Sequence, residues 1–197
     1  EHTSRGLGDV YKRQVYFLRE MLATKGERIE GKACAISGSG NVAQYCAQKI
    51  ISYGGKVITM SDSGGYIFDA EGIDESKLAW IMDLKNNRRG RIKEYVKEYP
   101  GAVDHEGERP WGEKCDIALP SATQNEIEEK GANNLVKNGC MAISEGANMP
   151  TSPEAYAILS KADVLFGPAK AANAGGVAVS SLEMSQNAAF DEWTSDK

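Results

Sequence analysis

The sequence lacks an apolar run approaching the roughly 20 residues that a membrane-spanning helix needs, and it has no secretory hydrophobic segment. No Cys-x-x-Cys pair occurs among its cysteines, which are Cys34, Cys46, Cys115 and Cys140. The only histidines, His2 and His105, lie near no cysteine pair, so we predict no metal site. We therefore expect a cytoplasmic protein with reduced, buried thiols and no membrane contact.

An excess of basic residues is also missing, since the formal net charge is −5. This balance argues against a general nucleic-acid-binding protein, although local patches can still be basic.

The sequence contains no Ser/His/Asp set, no catalytic cysteine setting and no carboxylate pair that clearly faces a shared cleft. We therefore predict no catalytic residues within the chain. Its 197 residues, 41% of them hydrophobic, are typical of one globular domain.

A strand, a glycine turn and a helix follow one another near the start of the sequence. Residues 32–36 form a short apolar strand pattern, and Gly38-x-Gly40-x-x-Ala43 comes directly after it. Gly38 permits a tight turn, Gly40 lets a pyrophosphate approach the backbone, and the following helix directs free N–H groups at it. The pattern predicts a dinucleotide-binding turn. The alternative is a structural glycine turn in another α/β protein.

The next strand pattern, residues 56–60, ends in Ser61-Asp62-Ser63. Asp62 lies about 20 residues beyond the turn, where a carboxylate that contacts the ribose is expected. Its charge would suit NAD and oppose a 2′-phosphate, but residues 85–93 carry five cations that could balance such a phosphate. We therefore favour NADP over NAD. The alternative is that this cluster is merely a solvated basic helix end.

The second half of the sequence repeats apolar strands that end in small, polar loops. These strand patterns are residues 115–119, 140–144 and 164–166, with helical patterns between them, and further helices are predicted at 15–25, 74–86, 91–98 and 177–190. A small hairpin is expected around residues 66–69. The pattern predicts an α/β fold of the Rossmann type, a doubly wound, mostly parallel sheet with helices on both faces. Ligands of such sheets bind at the carboxyl ends of the strands.

Two asparagines, Asn148 and Asn173, lie in these strand-end loops. An amide can both donate to and accept from a carboxamide ring or a ribose, although Asn also favours left-handed turns for purely structural reasons. After Gly175-Gly176, Ser180 and Ser181 lie in the first turn of a predicted helix and could hold a carboxylate, which the helix dipole there favours.

The first 14 residues do not share this pattern, because they are polar and lack periodicity. Residues 3–14 resemble translated sequencing-adapter sequence. We therefore expect residues 1–14 to be a non-native or disordered segment, and residues 15–197 to form the dinucleotide-binding domain.

Several long motifs together resemble the glutamate dehydrogenase family, in its hexameric, NADP-preferring type. They cover essentially residues 15–193, and they are SGSGNVA (37–43), SDS (61–63), PSATQNE (120–126), EGANMP (145–150), KAANAGGV (170–177) and SLEMSQN (181–187). The resemblance implies reversible oxidative deamination of L-glutamate to 2-oxoglutarate and ammonia, with hydride transfer to the nicotinamide of NADP.

The resemblance also implies roles for individual residues. The pyrophosphate turn would comprise Ser37, Gly38, Ser39, Gly40, Asn41 and Val42. Ser61 and Asp62 would meet the adenosine ribose, Lys85 would meet the 2′-phosphate, and Ser63 would also bind the cofactor. Ala122, Thr123, Gln124, Asn148 and Asn173 would line the nicotinamide side. Ser180 would bind the side-chain carboxylate of the substrate.

The chain departs from the family pattern in two respects. Ser121 stands where many relatives have Cys, a swap that a loop should tolerate. The family's catalytic lysines and aspartate belong to a substrate domain that this chain lacks, so we expect a fragment that is truncated at its C-terminus and inactive alone. The full-length parent is expected to be a homohexamer. The alternatives are a leucine, phenylalanine or valine dehydrogenase, or a non-catalytic NADP-binding module.

Overall fold

The computed structural model describes the backbone of residues 2–171 and the side chains of residues 12–171. The helices are α1 (His2–Ala23), α2 (Asn41–Ser52), α3 (Glu75–Asn86), α4 (Tyr95–Glu98), α5 (Glu129–Lys137) and α6 (Pro153–Lys161). The strands are β1 (Ala33–Ile36), β2 (Lys56–Asp62), β3 (Gly65–Ile73), β4 (Val103–Glu106), β5 (Ile117–Leu119), β6 (Ala142–Ser144) and β7 (Leu165–Gly167). Asn173, Ser180 and the helix predicted at 177–190 lie outside the described residues.

The strands of this described region form one sheet in the order β4-β3-β2-β1-β5-β6-β7. Strands β2, β1, β5, β6 and β7 run parallel, whereas β3 and β4 form an antiparallel edge. The predicted doubly wound, mostly parallel fold is therefore confirmed. The predicted hairpin was too small, because β3 spans nine residues and pairs with β4, which the sequence pattern did not indicate.

Helices cover both faces of the sheet because successive strand residues point in opposite directions. On one face, Cys34 and Ile36 of β1 share a buried cluster with residues of α1, α2 and α3. On the other face, Ala35 packs in a second cluster with Ala132 of α5 and Leu159 of α6. A strand buried on both faces explains the continuous apolar run in this part of the sequence.

Helix α3 begins where the sequence predicts a cap. The Asp74 carboxylate accepts a hydrogen bond from the Lys77 amide at 2.9 Å, which pairs one of the free N–H groups of the first turn. The helix predicted over residues 91–98 is divided in the structure into a 3-10 turn, Ile92–Glu94, followed by α4.

Helix α1 begins at His2 rather than at Val15, so residues 2–14 are helical in the structure. Its apolar side is buried through Val15, Leu18 and Leu22. The non-native origin of residues 1–14 stays a prediction. Among the helices described here, none is long and apolar enough to cross a membrane.

Candidate dinucleotide-binding site

Among the predicted site residues that the structure describes, all except Lys85 lie at or just beyond the carboxyl ends of β1, β2, β5 and β6, and Lys85 belongs to α3. Strand β1 pairs with β2 on one side and with β5 on the other, so the chain order along the sheet reverses next to it. Such a reversal opens a crevice outside the strand ends, and open α/β sheets bind their ligands there.

Gly38 forms the tight turn that follows β1. Its φ of +84° is unfavourable for residues with a side chain, and a Cβ at this position would lie 2.9 Å from the Ser121 carbonyl oxygen. The glycine is therefore required twice, by its own conformation and by the close approach of the loop that follows β5.

Ser61 holds this turn against β2. The Gly38 amide donates to Ser61 Oγ at 2.7 Å, and the Ser61 amide donates to the Gly38 carbonyl oxygen at 3.1 Å. Sequence reasoning placed Ser61 at the ribose, but its side chain is buried and directed at the turn. Its observed contacts therefore support the turn.

Gly40 is the N-cap of the 12-residue helix α2 and provides no side-chain cap. A Cβ built on Gly40 would meet no atom within 4 Å, and Asn41 beside it is exposed. The first N–H groups of α2 thus face an open approach at the positive end of the helix dipole. This cradle fits a pyrophosphate, so the chemistry of the turn suits a dinucleotide.

Asp62, at the end of β2, is held by three donors. Its Oδ2 accepts from Lys85 Nζ at 3.1 Å and from the Ile92 amide at 2.8 Å, while Oδ1 accepts from the Gly64 amide at 2.8 Å. Burial opposes ionisation, but these hydrogen bonds and the Lys85 charge outweigh it and keep the pKa of Asp62 below its ordinary value. The carboxylate is therefore ionised and paired.

Of the predicted cation cluster, two members reach this end of β2. Lys85 Nζ contacts Asp62 and also donates to the Gly90 carbonyl oxygen at 3.0 Å, and Arg91 donates to Ser63 Oγ at 2.6 Å. Arg88 points elsewhere, because it pairs with Asp83 at 2.8 Å. The structure thus brings Lys85, Arg91, Asp62 and Ser63 together at one corner of the sheet.

A reciprocal amide pair, which sequence reasoning missed, connects this corner to the glycine turn. Gln44 and Asn86 exchange two side-chain hydrogen bonds of 3.1 Å, and Gln44 Nε2 also donates to the Ser39 carbonyl oxygen at 2.8 Å. Gln44 is only 2% exposed. No local pattern marks this pair, because its members lie 42 residues apart.

The loops that follow β5 and β6 are joined by backbone hydrogen bonds. The Pro120 carbonyl oxygen accepts from the amides of Gly146 and Ala147, and the Asn125 amide donates to the Met149 carbonyl oxygen at 3.0 Å. This pairing puts two predicted sets side by side on the surface. They are the exposed residues Ala122, Thr123 and Gln124 in one loop and the exposed Asn148 in the other.

The described part of the site offers anion-binding N–H groups, one ionised carboxylate, two cations and exposed amides. Within residues 2–171, no group of three or more His, Cys, Asp or Glu side chains is placed to hold a metal ion. The chemistry available at this edge of the sheet is the recognition of phosphates, hydroxyls and amides.

A doubly wound sheet with a glycine turn at its switch point defines a dinucleotide-binding domain of the Rossmann type. The family model described as Glutamate/Leucine/Phenylalanine/Valine dehydrogenase matches residues 7–197. The chain therefore belongs to this family.

The relatives that it resembles include several bacterial enzymes. The chain is 59% identical to glutamate dehydrogenase of Bacteroides thetaiotaomicron over 183 residues, which are 93% of this chain. It is 57% identical to NAD(P)-specific glutamate dehydrogenase of Xylanibacter ruminicola and 53% identical to NADP-specific glutamate dehydrogenase of Haemophilus influenzae, again over 93% of its length.

A solved structure, that of glutamate dehydrogenase 2 from Plasmodium falciparum, matches 95% of the chain with a TM-score of 0.84 and 49% identity. The chain spans about 41% of the length of that protein, and about 40% of the length of the three bacterial relatives.

Proposed function

We propose that this chain is the coenzyme-binding part of a glutamate dehydrogenase. The proposal rests on one observation. The glycine turn, the Asp62–Lys85 pair and the joined loops after β5 and β6 all lie at the carboxyl ends of the parallel strands. The names of the similar relatives support the reaction, which is reversible oxidative deamination of L-glutamate to 2-oxoglutarate and ammonia. NADP, when bound, would accept the hydride in that reaction.

NADP is the preferred cofactor in this proposal because the acid at the ribose position is already neutralised. The three donors on Asp62 occupy much of its capacity to accept ribose hydroxyls. A 2′-phosphate at the same corner would meet the cations of Lys85 and Arg91, and charge-assisted contacts to phosphate are strong.

The test is a fluorescence titration of the chain with NADPH and with NADH. We expect tighter binding of NADPH in the unchanged chain. In Lys85→Ala and Arg91→Ala, NADPH affinity should fall about tenfold or more, since hydrogen bonds to charged groups contribute roughly 1.5–3 kcal/mol. NADH affinity should change little.

Lys97→Ala is the matched control, because Lys97 is an exposed cation of the nearby helix α4. It should bind both cofactors as the unchanged chain does. Equal affinity of the unchanged chain for NADPH and NADH would contradict the proposed phosphate site. Failure to bind either one would contradict the function as a whole.

We further propose that catalysis needs protein beyond this chain and that the full-length enzyme is a homohexamer. The chain's 41% share of the Bacteroides relative supports the first point. Purified residues 15–197 should therefore produce no NADPH from glutamate and NADP, whereas a full-length parent should. Turnover by the chain alone would overturn this proposal, and the mass of the full-length protein in solution tests the hexamer.

A leucine, phenylalanine or valine dehydrogenase is the second candidate, because the family includes these activities. Glutamate is preferred since the closely similar relatives are named as glutamate dehydrogenases at 53–59% identity. A full-length parent that oxidises leucine faster than glutamate would reverse this choice.

A further inference from the structure

A buried acid, Glu126, lies beneath the loop that follows β5. Only 3% of Glu126 is exposed, and its carboxylate faces inward at the strand ends. Its Oε1 accepts from the Ala122 amide at 3.0 Å and from the Thr123 amide at 3.3 Å. One carboxylate oxygen thus holds the backbone of two of the residues expected to face the nicotinamide, Ala122 and Thr123.

The same carboxylate reaches the glycine turn through Ser37. The Ser37 hydroxyl hydrogen-bonds to Glu126 and also accepts from the Ser121 amide at 2.9 Å. Ser37 is 1% exposed and directly precedes Gly38. Glu126 therefore links the expected pyrophosphate turn to the expected nicotinamide loop within one buried network.

The backbone of Glu126 is itself fixed from outside the loop. Its carbonyl oxygen accepts from Arg109 at 2.7 Å and from the indole N–H of Trp111 at 3.1 Å. Trp111 is 2% exposed, so this anchor is part of the core on that face of the sheet. The position of the carboxylate is thus set before any ligand arrives.

Retaining an acid here has a cost. Burial raises the pKa of the Glu126 carboxyl, and hydrogen bonds from Ser37, Ala122 and Thr123, together with the charge of Arg109, offset this only in part. Burying a charged group is unfavourable unless the group is paired and hydrogen-bonded. Here all the donors are groups of the two ligand loops.

We propose that Glu126 is a positioning residue that sets the nicotinamide half of the cofactor relative to the pyrophosphate turn. The inference rests on the proposed dinucleotide-binding function. Without the carboxylate, the amides of Ala122 and Thr123 lose their buried acceptor, and the loop relaxes away from Ser37. The adenosine half is bound at α2 and at the Asp62 corner, which Glu126 does not contact, so its binding is retained.

The test compares two ligands on the chain, NADPH and adenosine 2′,5′-bisphosphate, which lacks the nicotinamide half. In Glu126→Ala, NADPH affinity should fall about tenfold, while the bisphosphate affinity should stay within about twofold. Glu126→Gln keeps an oxygen for the loop amides and should recover most of the NADPH affinity. Glu128→Ala, an exposed acid two residues away, is the matched control and should change neither.

Circular dichroism and the thermal midpoint check that each variant is folded. If Glu126→Ala does not fold, Glu126→Asp replaces it, because it keeps the charge but is one methylene too short to reach both loops. Weaker NADPH binding by Glu126→Asp than by Glu126→Gln supports the proposal. Equal NADPH affinity of these two variants overturns it, as does an equal loss of affinity for NADPH and for the bisphosphate. Failure of the unchanged chain to bind either ligand instead refutes the proposed function.

Discussion

Lys85 Nζ lies 3.1 Å from Asp62 Oδ2, and both side chains are mostly buried, at 19% and 9% exposure. The pair places a cation and an anion at the corner where the cofactor ribose is expected. An acid that would repel a 2′-phosphate is therefore compensated by the residue proposed to bind that phosphate. The two residues should be energetically coupled in cofactor binding.

A double-mutant cycle tests this coupling. Lys85→Ala alone should weaken NADPH binding about tenfold or more, since it leaves the negative charge of Asp62 beside the phosphate without its compensating cation. The double variant Asp62→Asn/Lys85→Ala should bind NADPH about threefold more tightly than Lys85→Ala does, because the repulsive charge of Asp62 is gone. NADPH titrations of the four proteins measure the effect. Additivity of the two single changes would show that the pair is not coupled through the phosphate.

Gly38 and Gly40 should respond differently to alanine. Gly38→Ala combines an unfavourable φ of +84° with a Cβ 2.9 Å from the Ser121 carbonyl oxygen, and it should lower the free energy of unfolding by about 1–3 kcal/mol. Gly40→Ala adds a methyl group into open space at a φ of −81°. It should unfold like the unchanged chain but bind NADPH more weakly, because the methyl group blocks the pyrophosphate. Urea unfolding and NADPH titration distinguish the two effects, and equal destabilisation would refute this assignment.

The Asp69 carboxylate should stabilise the fold in a pH-dependent way. It is 2% exposed and accepts from Tyr95 Oη at 2.6 Å, from Lys77 Nζ at 2.9 Å and from the Glu71 amide at 3.0 Å. Burial opposes ionisation, but these donors outweigh it and lower the pKa of Asp69 below its ordinary value. Asp69→Asn should therefore cost about 1–3 kcal/mol at neutral pH.

The sign of the pH effect follows from the lowered pKa. The stabilisation is present above the unfolded-state pKa of roughly 4 and is lost as pH falls through the lower folded-state value. Urea unfolding of the unchanged chain and of Asp69→Asn should show that their difference in free energy of unfolding becomes smaller below about pH 4. Glu71→Gln is the control, because this carboxylate also faces Lys77 but is 87% exposed and 3.8 Å away. Its effect should stay below about 1 kcal/mol at every pH. A difference for Asp69→Asn that does not change with pH would contradict the prediction.

The thiols should be unreactive in the folded protein. Cys34, Cys46, Cys115 and Cys140 are all free and buried, and burial raises the pKa of Cys46 to about 12, partly opposed by a hydrogen bond from Ser121. The thiolate is the reactive form, so burial restricts access to all four thiols and, at Cys46, also restricts ionisation. An aromatic disulfide reagent at about pH 8 should label the native chain slowly and all four thiols after denaturation in urea. Rapid labelling of a native thiol would show that its segment opens.

Much of the fold could be predicted because its signals are local. The glycine turn, the apolar runs of β1 and β2 and the Asp74 cap each lie within a few residues, and the structure has all of them. Strand β4 was missed because it is a short, polar edge strand, Val103–Glu106, without an apolar run. Helix α1 was predicted to begin at Val15 because residues 1–14 lack helical periodicity, whereas the structure begins it at His2.

The candidate site was predicted as a set of strand-end residues, without its internal contacts. Sequence reasoning located Asp62 and Lys85 but not their direct pairing. It assigned Ser61 to the ribose, which stays a prediction, and did not find that its hydroxyl accepts from the Gly38 amide. Glu126 was part of a quoted motif without any role, since nothing in a single sequence distinguishes a buried acid from an exposed one.

The sequence by itself determined the fold class, the place of the glycine turn and the residue types at the strand ends. Those features depend on backbone conformation and on the two-residue and 3.6-residue periods of neighbouring side chains. Only the tertiary structure decided which side chains meet across the sheet edge. Ser37 and Ser121 are 84 residues apart, and Gln44 and Asn86 are 42 apart. Such pairs form because the parallel sheet brings distant strand ends together. No short-range periodicity in the sequence indicates which of these side chains will be in contact.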